Sequence, residues 1–139
     1  MTCIVALDVG TKTIGVARCA DGSTLVTPLM TIARRGVRKD TARLVEILAH
    51  QNAQAVVVGL PFELSGEEGR SARLARQIGE AVGEATGLII HYQDEQYSTL
   101  EASRLLYEQG LSSRQQRHKI DQAAAAVILK DWLAEQSGD

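Results

Sequence analysis

Met1 to Val9 is an apolar run broken by Thr2 and by one acid, Asp8, and it reads as a buried strand, about Cys3 to Asp8, that ends on a carboxylate. Gly10 to Lys12 turns the chain into a second apolar run, about Thr13 to Cys19. Asp21-Gly22 is a hairpin signal leading to a third strand, about Ser23 to Ile32, so these three strands are expected as antiparallel neighbours. Behind the basic loop Arg34–Lys39, Asp40 reads as an N-cap, and Leu44, Val45 and Leu48 recur at helical spacing in a helix expected to end near Asn52. Ala55 to Leu60 is β-branched and apolar without alternation, the pattern of a central strand that is reached by a crossover helix and lies parallel to a neighbour. Pro61 is expected to stop it.

Pro61 to Gly69 reads as a loop, and Leu74, Ile78, Ala81, Val82 and Ala85 form the apolar stripe of a second helix that Gly87 closes. Leu88 to Tyr92 is expected as the fifth strand, with Asp94 and Glu95 directly after it. Ser98-Thr99-Leu100-Glu101 has the form of a capping box, opening a third helix that Gly110 stops. From Lys119 a final helix is expected, apolar nearly all round, with Asp121 inside its first turn and on one face with Ala125, Ile128 and Trp132. The order β-β-β-α-β-α-β-α-α predicts an α/β fold. Its centre is a five-stranded mixed sheet, three antiparallel strands then parallel crossovers, flanked by helices, with residues 1–139 forming a single domain.

Charge narrows the function classes. With 15 Lys and Arg against 17 Asp and Glu, the chain carries a formal charge of −2 and does not grip nucleic acid by bulk charge. Distribution matters more than the sum, because five of the fifteen cations fall between Arg34 and Arg43. Such clusters read either as an electrostatic footprint for phosphates or as solvated helix faces. No apolar run approaches the roughly 20 residues that span a membrane, and the first strand begins without an export signal, so a cytoplasmic protein is expected. Its two cysteines are expected as free core thiols. A hairpin centred on Thr11 would set Cys3 almost opposite Cys19, the one arrangement that would permit a disulfide. Five aromatic residues are a thin stacking platform for single strands. His50 and His91 read as structural, while His118, three residues before Asp121, reads as either structural or substrate-facing.

An acid at the carboxyl end of a buried strand must be paired or given a cation. For Asp8 two readings stand, a cap on the Gly-Thr turn or a ligand to a cation. In the expected topology the first and fourth strands diverge at a switch point, where open α/β sheets bind their ligands. Glu95 follows the fifth strand, and Asp121 reaches the same rim if the last helix packs back over the sheet. Three carboxylates without matched Lys or Arg repel one another unless cations lie among them, and such oxygen ligands favour Mg²⁺ or Mn²⁺ over zinc.

Four segments carry a specific resemblance. Leu7-Asp8-Val9-Gly10-Thr11-Lys12-Thr13-Ile14-Gly15, Val58-Gly59-Leu60-Pro61, Asp94-Glu95-Gln96-Tyr97-Ser98-Thr99 with Glu101-Ala102, and Ile120-Asp121-Gln122-Ala123-Ala124 resemble, in order and spacing, the YqgF family, also called RuvX or Holliday-junction-resolvase-like proteins. The resemblance implies a ribonuclease H-like fold and a nuclease dependent on Mg²⁺ or Mn²⁺, acting in 5′-end maturation of 16S ribosomal RNA precursors. By the same match Asp8, Glu95 and Asp121 are the catalytic, metal-binding acids. Lys12, Arg114, Arg117 and Lys119 are candidate phosphate contacts, each alternatively a solvated surface charge. The implied partners are an rRNA precursor or branched DNA, and ribosomal particles, with the chain a monomer or homodimer and no membrane involved. Two departures stand out. Gln96 replaces the Arg that commonly follows the Asp-Glu pair, and Phe62-Glu63-Leu64-Ser65-Gly66 replaces the usual Leu-Asn-Met-Asp-Gly. The rival classes are a Holliday-junction-type DNA resolvase, a nucleotide-binding protein of the actin-like class, and a catalytically idle nucleic-acid-binding scaffold. The second would need two such domains, and the third would have little use for all three acids.

Overall fold

The computed structural model describes residues 2–62, 65, 68–96, 100 and 114–137. Its apolar runs form strands β1 (Cys3–Val9), β2 (Thr13–Ala20), β3 (Val26–Ala33), β4 (Ala53–Phe62) and β5 (Ile89–Gln96), with helices α1 (Val37–Gln51), α2 (Arg70–Thr86) and α3 (Arg114–Ser137). The sheet order is β3-β2-β1-β4-β5. β1 pairs antiparallel with β2 and β2 with β3, whereas β1–β4 and β4–β5 are parallel, which is the mixed sheet the sequence predicts.

Alternation along the strands divides the core into two layers. Val5, Leu7, Val56, Val58 and Leu60 pack with Leu44 and Leu48 of α1 and with Ile78 and Val82 of α2. On the other face Ala6, Ala17 and Val57 meet Ala124, Ala125, Ile128 and Leu129 of α3. The small residues on both sides let α3 lie close to the sheet. Gly59 belongs to that contact, since a Cβ there would overlap Ile128 Cδ1 and lie 2.9 Å from its Cγ1. Gly59→Val is therefore expected to destabilise by about 2–3 kcal/mol. Combined with Ile128→Ala, the loss should be less than the sum of the two single changes in denaturant unfolding, and full additivity would rule out this contact as the cause.

Several boundaries differ from the sequence reading, and β3 begins at Val26 rather than near Ser23, after a turn that runs past Asp21-Gly22. β4 does not stop at Pro61 but continues to Phe62, paired with β5 through Pro61↔Glu95 and Phe62↔Gln96. Its pairing with β1 ends at Leu7↔Val58, so the proline stands where one side of the strand has lost its partner and a missing N–H is tolerated. β5 likewise extends beyond Tyr92 and carries Asp94 and Glu95 within the sheet. α1 begins at Val37 behind Gly36, so Asp40 is not the N-cap and its carboxylate serves the preceding loop instead. α3 begins at Arg114, which puts Asp121 about two turns inside it rather than in the first turn.

Helix ends fared better, because Asn52 (φ 57°) and Gly87 (φ 73°) close α1 and α2 in the left-handed conformation. The hairpin register is one residue off the expected one, pairing Cys3 with Ala20 and Ile4 with Cys19. That single step sends Cys3 to the α1/α2 layer and Cys19 to the α3 layer, and both are free, buried thiols. The capping box and the helix expected to end at Gly110 lie outside the described residues, Leu100 apart.

Candidate active site

Asp8 is the penultimate residue of β1 and is 5% exposed. Ala6 faces α3, so alternation points Asp8 to the same layer. The turn that follows it is tied down at three points. Gly10 N donates to Thr13 O (2.9 Å), Arg34 N donates to Lys12 O (2.8 Å), and Arg34 Nη1 donates to Gly10 O (2.8 Å). Arg34 Nε in turn donates to Asp40 Oδ2 at 2.7 Å, and Arg35 N donates to Asp40 Oδ1 at 2.8 Å. Asp40 is buried and the Arg34 side chain is only 11% exposed, so Arg34→Ala would strand the Asp40 carboxylate without its cation. The expected loss is about 3 kcal/mol, to be read in denaturant unfolding; a change below 0.5 kcal/mol, about the scale of an ordinary surface substitution, would show that the strap carries nothing.

Glu95 is 6% exposed and faces the α3 layer. Gln93 and His91 precede it on that face, and the His91 ring packs 4.9 Å from that of Trp132 in α3. Leu7↔Val58 and Val58↔Tyr92 set the level of Asp8 at Gly59 and Gln93, so Glu95 lies one pleat farther on and two strands away. That places the two Cα atoms roughly 12 Å apart. Asp94, one residue earlier, pairs with Leu60 and is exposed on the α1/α2 side, where its charge acts on Arg76. Strand alternation thus separates Asp94 from the α3-facing acids.

Burial drives the Glu95 carboxyl up to about 9, and a hydrogen bond to Asp131 together with the charges of Asp131, Glu135 and Asp94 pushes in the same direction. Glu95 Oε1 is buried and makes no hydrogen bond among the described residues. The Arg34–Asp40 and Arg76–Glu68 ion pairs do not include Asp94, Glu95, Asp131 or Glu135. Carboxyl oxygens gathered around the buried Glu95 suit a hard divalent cation. Among the described residues, no three His, Cys, Asp or Glu are already arranged around one point as metal ligands.

The acids of α3 beside Glu95 are Asp131 and Glu135, which the sequence reading missed. They look like ordinary charges on a helix end, and only the crossing of α3 over β5 brings them to the site. Asp121 lies ten residues earlier, about 15 Å along the helix axis from Asp131. Its side chain, with those of Arg114, Arg117, His118 and Lys119, lies outside the described residues. Lys12 is exposed in the turn after Asp8, and Gln96 is exposed at the end of β5.

A sequence-family model described as RuvX, Holliday junction resolvase, matches residues 2–135. Relatives provisionally named pre-16S rRNA nuclease include one from Thermosynechococcus vestitus, 36% identical over 99% of this chain and 91% of its own length. Another, from Anaeromyxobacter sp., is 40% identical over 93% of this chain and 94% of its own. Two solved structures share the fold. T. thermophilus RuvC in complex with a Holliday junction substrate aligns with a TM-score of 0.58 at 18% identity, covering 99% of this chain and 97% of its own. The fowlpox virus resolvase with substrate Holliday junction DNA aligns with a TM-score of 0.57 at 12% identity, covering 98% and 99%.

Proposed function

We infer that this chain, which belongs to the RuvX Holliday junction resolvase family, is a divalent-metal nuclease that hydrolyses phosphodiester bonds, and that its substrate is a 16S ribosomal RNA precursor cut in 5′-end maturation. The observation that carries the reading is Glu95, a buried carboxyl with an oxygen that has no hydrogen-bond partner among the described residues and with acidic neighbours on the face that also bears Asp8.

Asp8 and Glu95, together with one acid of α3, Asp121 by the family match or Asp131 by its contact with Glu95, are assigned as the residues that would hold Mg²⁺ or Mn²⁺. Such an ion supplies polarisation of the phosphate, a nucleophile from water and charge stabilisation at the leaving oxygen. Asp8 and Glu95 contribute fixed carboxylates from two strands of one rigid sheet, and their burial limits competition from bulk water. The strap from Arg34 holds the turn after Asp8 and so orients that carboxylate. Lys12, exposed on the same turn, would take up a phosphate oxygen of the substrate.

The α3 ligand has a second candidate, since Asp131 touches Glu95 directly. Paired variants, Asp121→Asn and Asp131→Asn, separate the two, because only loss of a true ligand should abolish Mn²⁺ binding. The family description favours a second substrate, the four-way DNA junction. Cleavage of labelled 16S precursor RNA and of a DNA junction, run in parallel with Mg²⁺ or Mn²⁺ and with Asp8→Asn as the contamination control, tests the assignment. RNA cutting that the variant loses supports the maturation reading, whereas junction cutting alone replaces it with the resolvase.

A further inference from the structure

We propose that Arg35, Lys39 and Arg43 form a docking groove for the phosphate backbone of the nucleic-acid strand leading into the active site. The proposal deepens the nuclease reading and rests on it. The three residues are spaced four apart, so Lys39 and Arg43 share one face of α1 and Arg35 precedes them in line. With Thr31 and Ala33 of β3 and with Asp40 they line a cavity of about 280 Å³ between the outer edge of the sheet and the helix.

Three observations set this cluster apart from a solvated helix face. Arg35, Lys39 and Arg43 are exposed, and none of them has an ion-pair partner among the described residues. The one carboxylate in the wall, Asp40, is 2% exposed and already accepts hydrogen bonds from Arg34 Nε and Arg35 N, so an anion in the groove faces three cations and a neutralised acid. The groove is also fixed to the site, because the Arg34 that pairs with Asp40 holds Gly10 O and Lys12 O in the turn after Asp8. A backbone held there would be led past Lys12 to the carboxylates. The basic cavity on α2 lacks these properties. Its Arg76 is taken up by a two-point pairing with Glu68, and Glu80 stands in its wall.

The test is equilibrium binding of labelled 16S precursor RNA by full-length protein carrying Asp8→Asn, in EDTA, so that binding is read without cleavage. Replacing Arg35, Lys39 and Arg43 together by Ala should weaken binding at least tenfold. It should also flatten the slope of log K against log salt by about 2, since each phosphate contact on a single strand contributes about 0.7. The thermal midpoint should be unchanged, because these side chains are exposed. Arg70→Ala with Arg73→Ala, on α2, should leave the slope as it was. An unaltered slope in the triple variant overturns the groove while leaving the nuclease reading intact, and equal flattening in both variants replaces the groove with undirected surface charge. Failure of the parent protein to bind RNA while binding a DNA junction refutes the RNA assignment, and failure to bind either refutes the groove and the nucleic-acid reading together.

Discussion

Asp8→Asn is expected to lower metal-dependent phosphodiester cleavage by about a thousandfold or more while the protein stays folded. Asn keeps the shape of the side chain in its buried position but removes the negative charge a hard cation requires. Lewis-acid stabilisation of a phosphoryl transition state is worth several kcal/mol, and about 4 kcal/mol corresponds to a factor of a thousand in rate. Turnover should fall at every Mg²⁺ concentration, and far-UV circular dichroism should match the parent. Undiminished turnover with the same metal dependence would sink the assignment of Asp8.

Glu95→Gln should give two effects of opposite sign. Cleavage should fall as for Asp8, but the metal-free protein should become more stable. The carboxyl ionises at 4.5 when exposed and at about 9 in the fold, so the unfolded chain gives up its proton first as pH rises. Stability is therefore greatest below pH 4.5 and is lost progressively up to about pH 9. Gln has no charge to suppress and escapes that loss, giving a gain of about 2–4 kcal/mol near pH 8. Thermal midpoints in EDTA at pH 5 and pH 8 would measure it. Parent and variant should differ little at the lower pH and diverge at the higher, and parallel curves would mean that Glu95 is not held protonated in the fold. Added Mn²⁺ should then raise the midpoint of the parent more than that of the variant.

Much of this was legible in the chain because burial leaves a plain signature. Apolar runs without alternation gave β1 and β4, Asp21-Gly22 gave the β2–β3 hairpin, and left-handed Asn52 and Gly87 ended their helices where the sequence placed them. What escaped was structure held by pairing rather than by side-chain chemistry. Gln93 to Gln96 is as polar as a loop, yet β4 supplies a ladder that carries it as a strand to its end. The start of α3 is equally polar, so nothing apolar marked Arg114 as its first residue. Asp40 looked like a helix cap because its residue type suits one. Its partners turned out to be Arg34 and the Arg35 amide, which no local pattern announces. For the candidate site, Asp8 and Glu95 are marked in the sequence as acids beside apolar strands, whereas Asp131 and Glu135 come to Glu95 only through a tertiary crossing.

The alternation that sets Asp8 and Glu95 on one face also restricts how this chain can change length over evolution. One residue inserted or deleted in β1 ahead of Asp8, or in β5 ahead of Glu95, would rotate that acid into the layer of α1 and α2 and remove it from its counterpart. Strand lengths before either acid are thus held to a parity rule, and only changes in pairs, or a compensating bulge, preserve the site. The connection between β4 and α2 lies under no such rule. That connection carries neither Asp8 nor Glu95, so a change of length there leaves both acids on their face of the sheet.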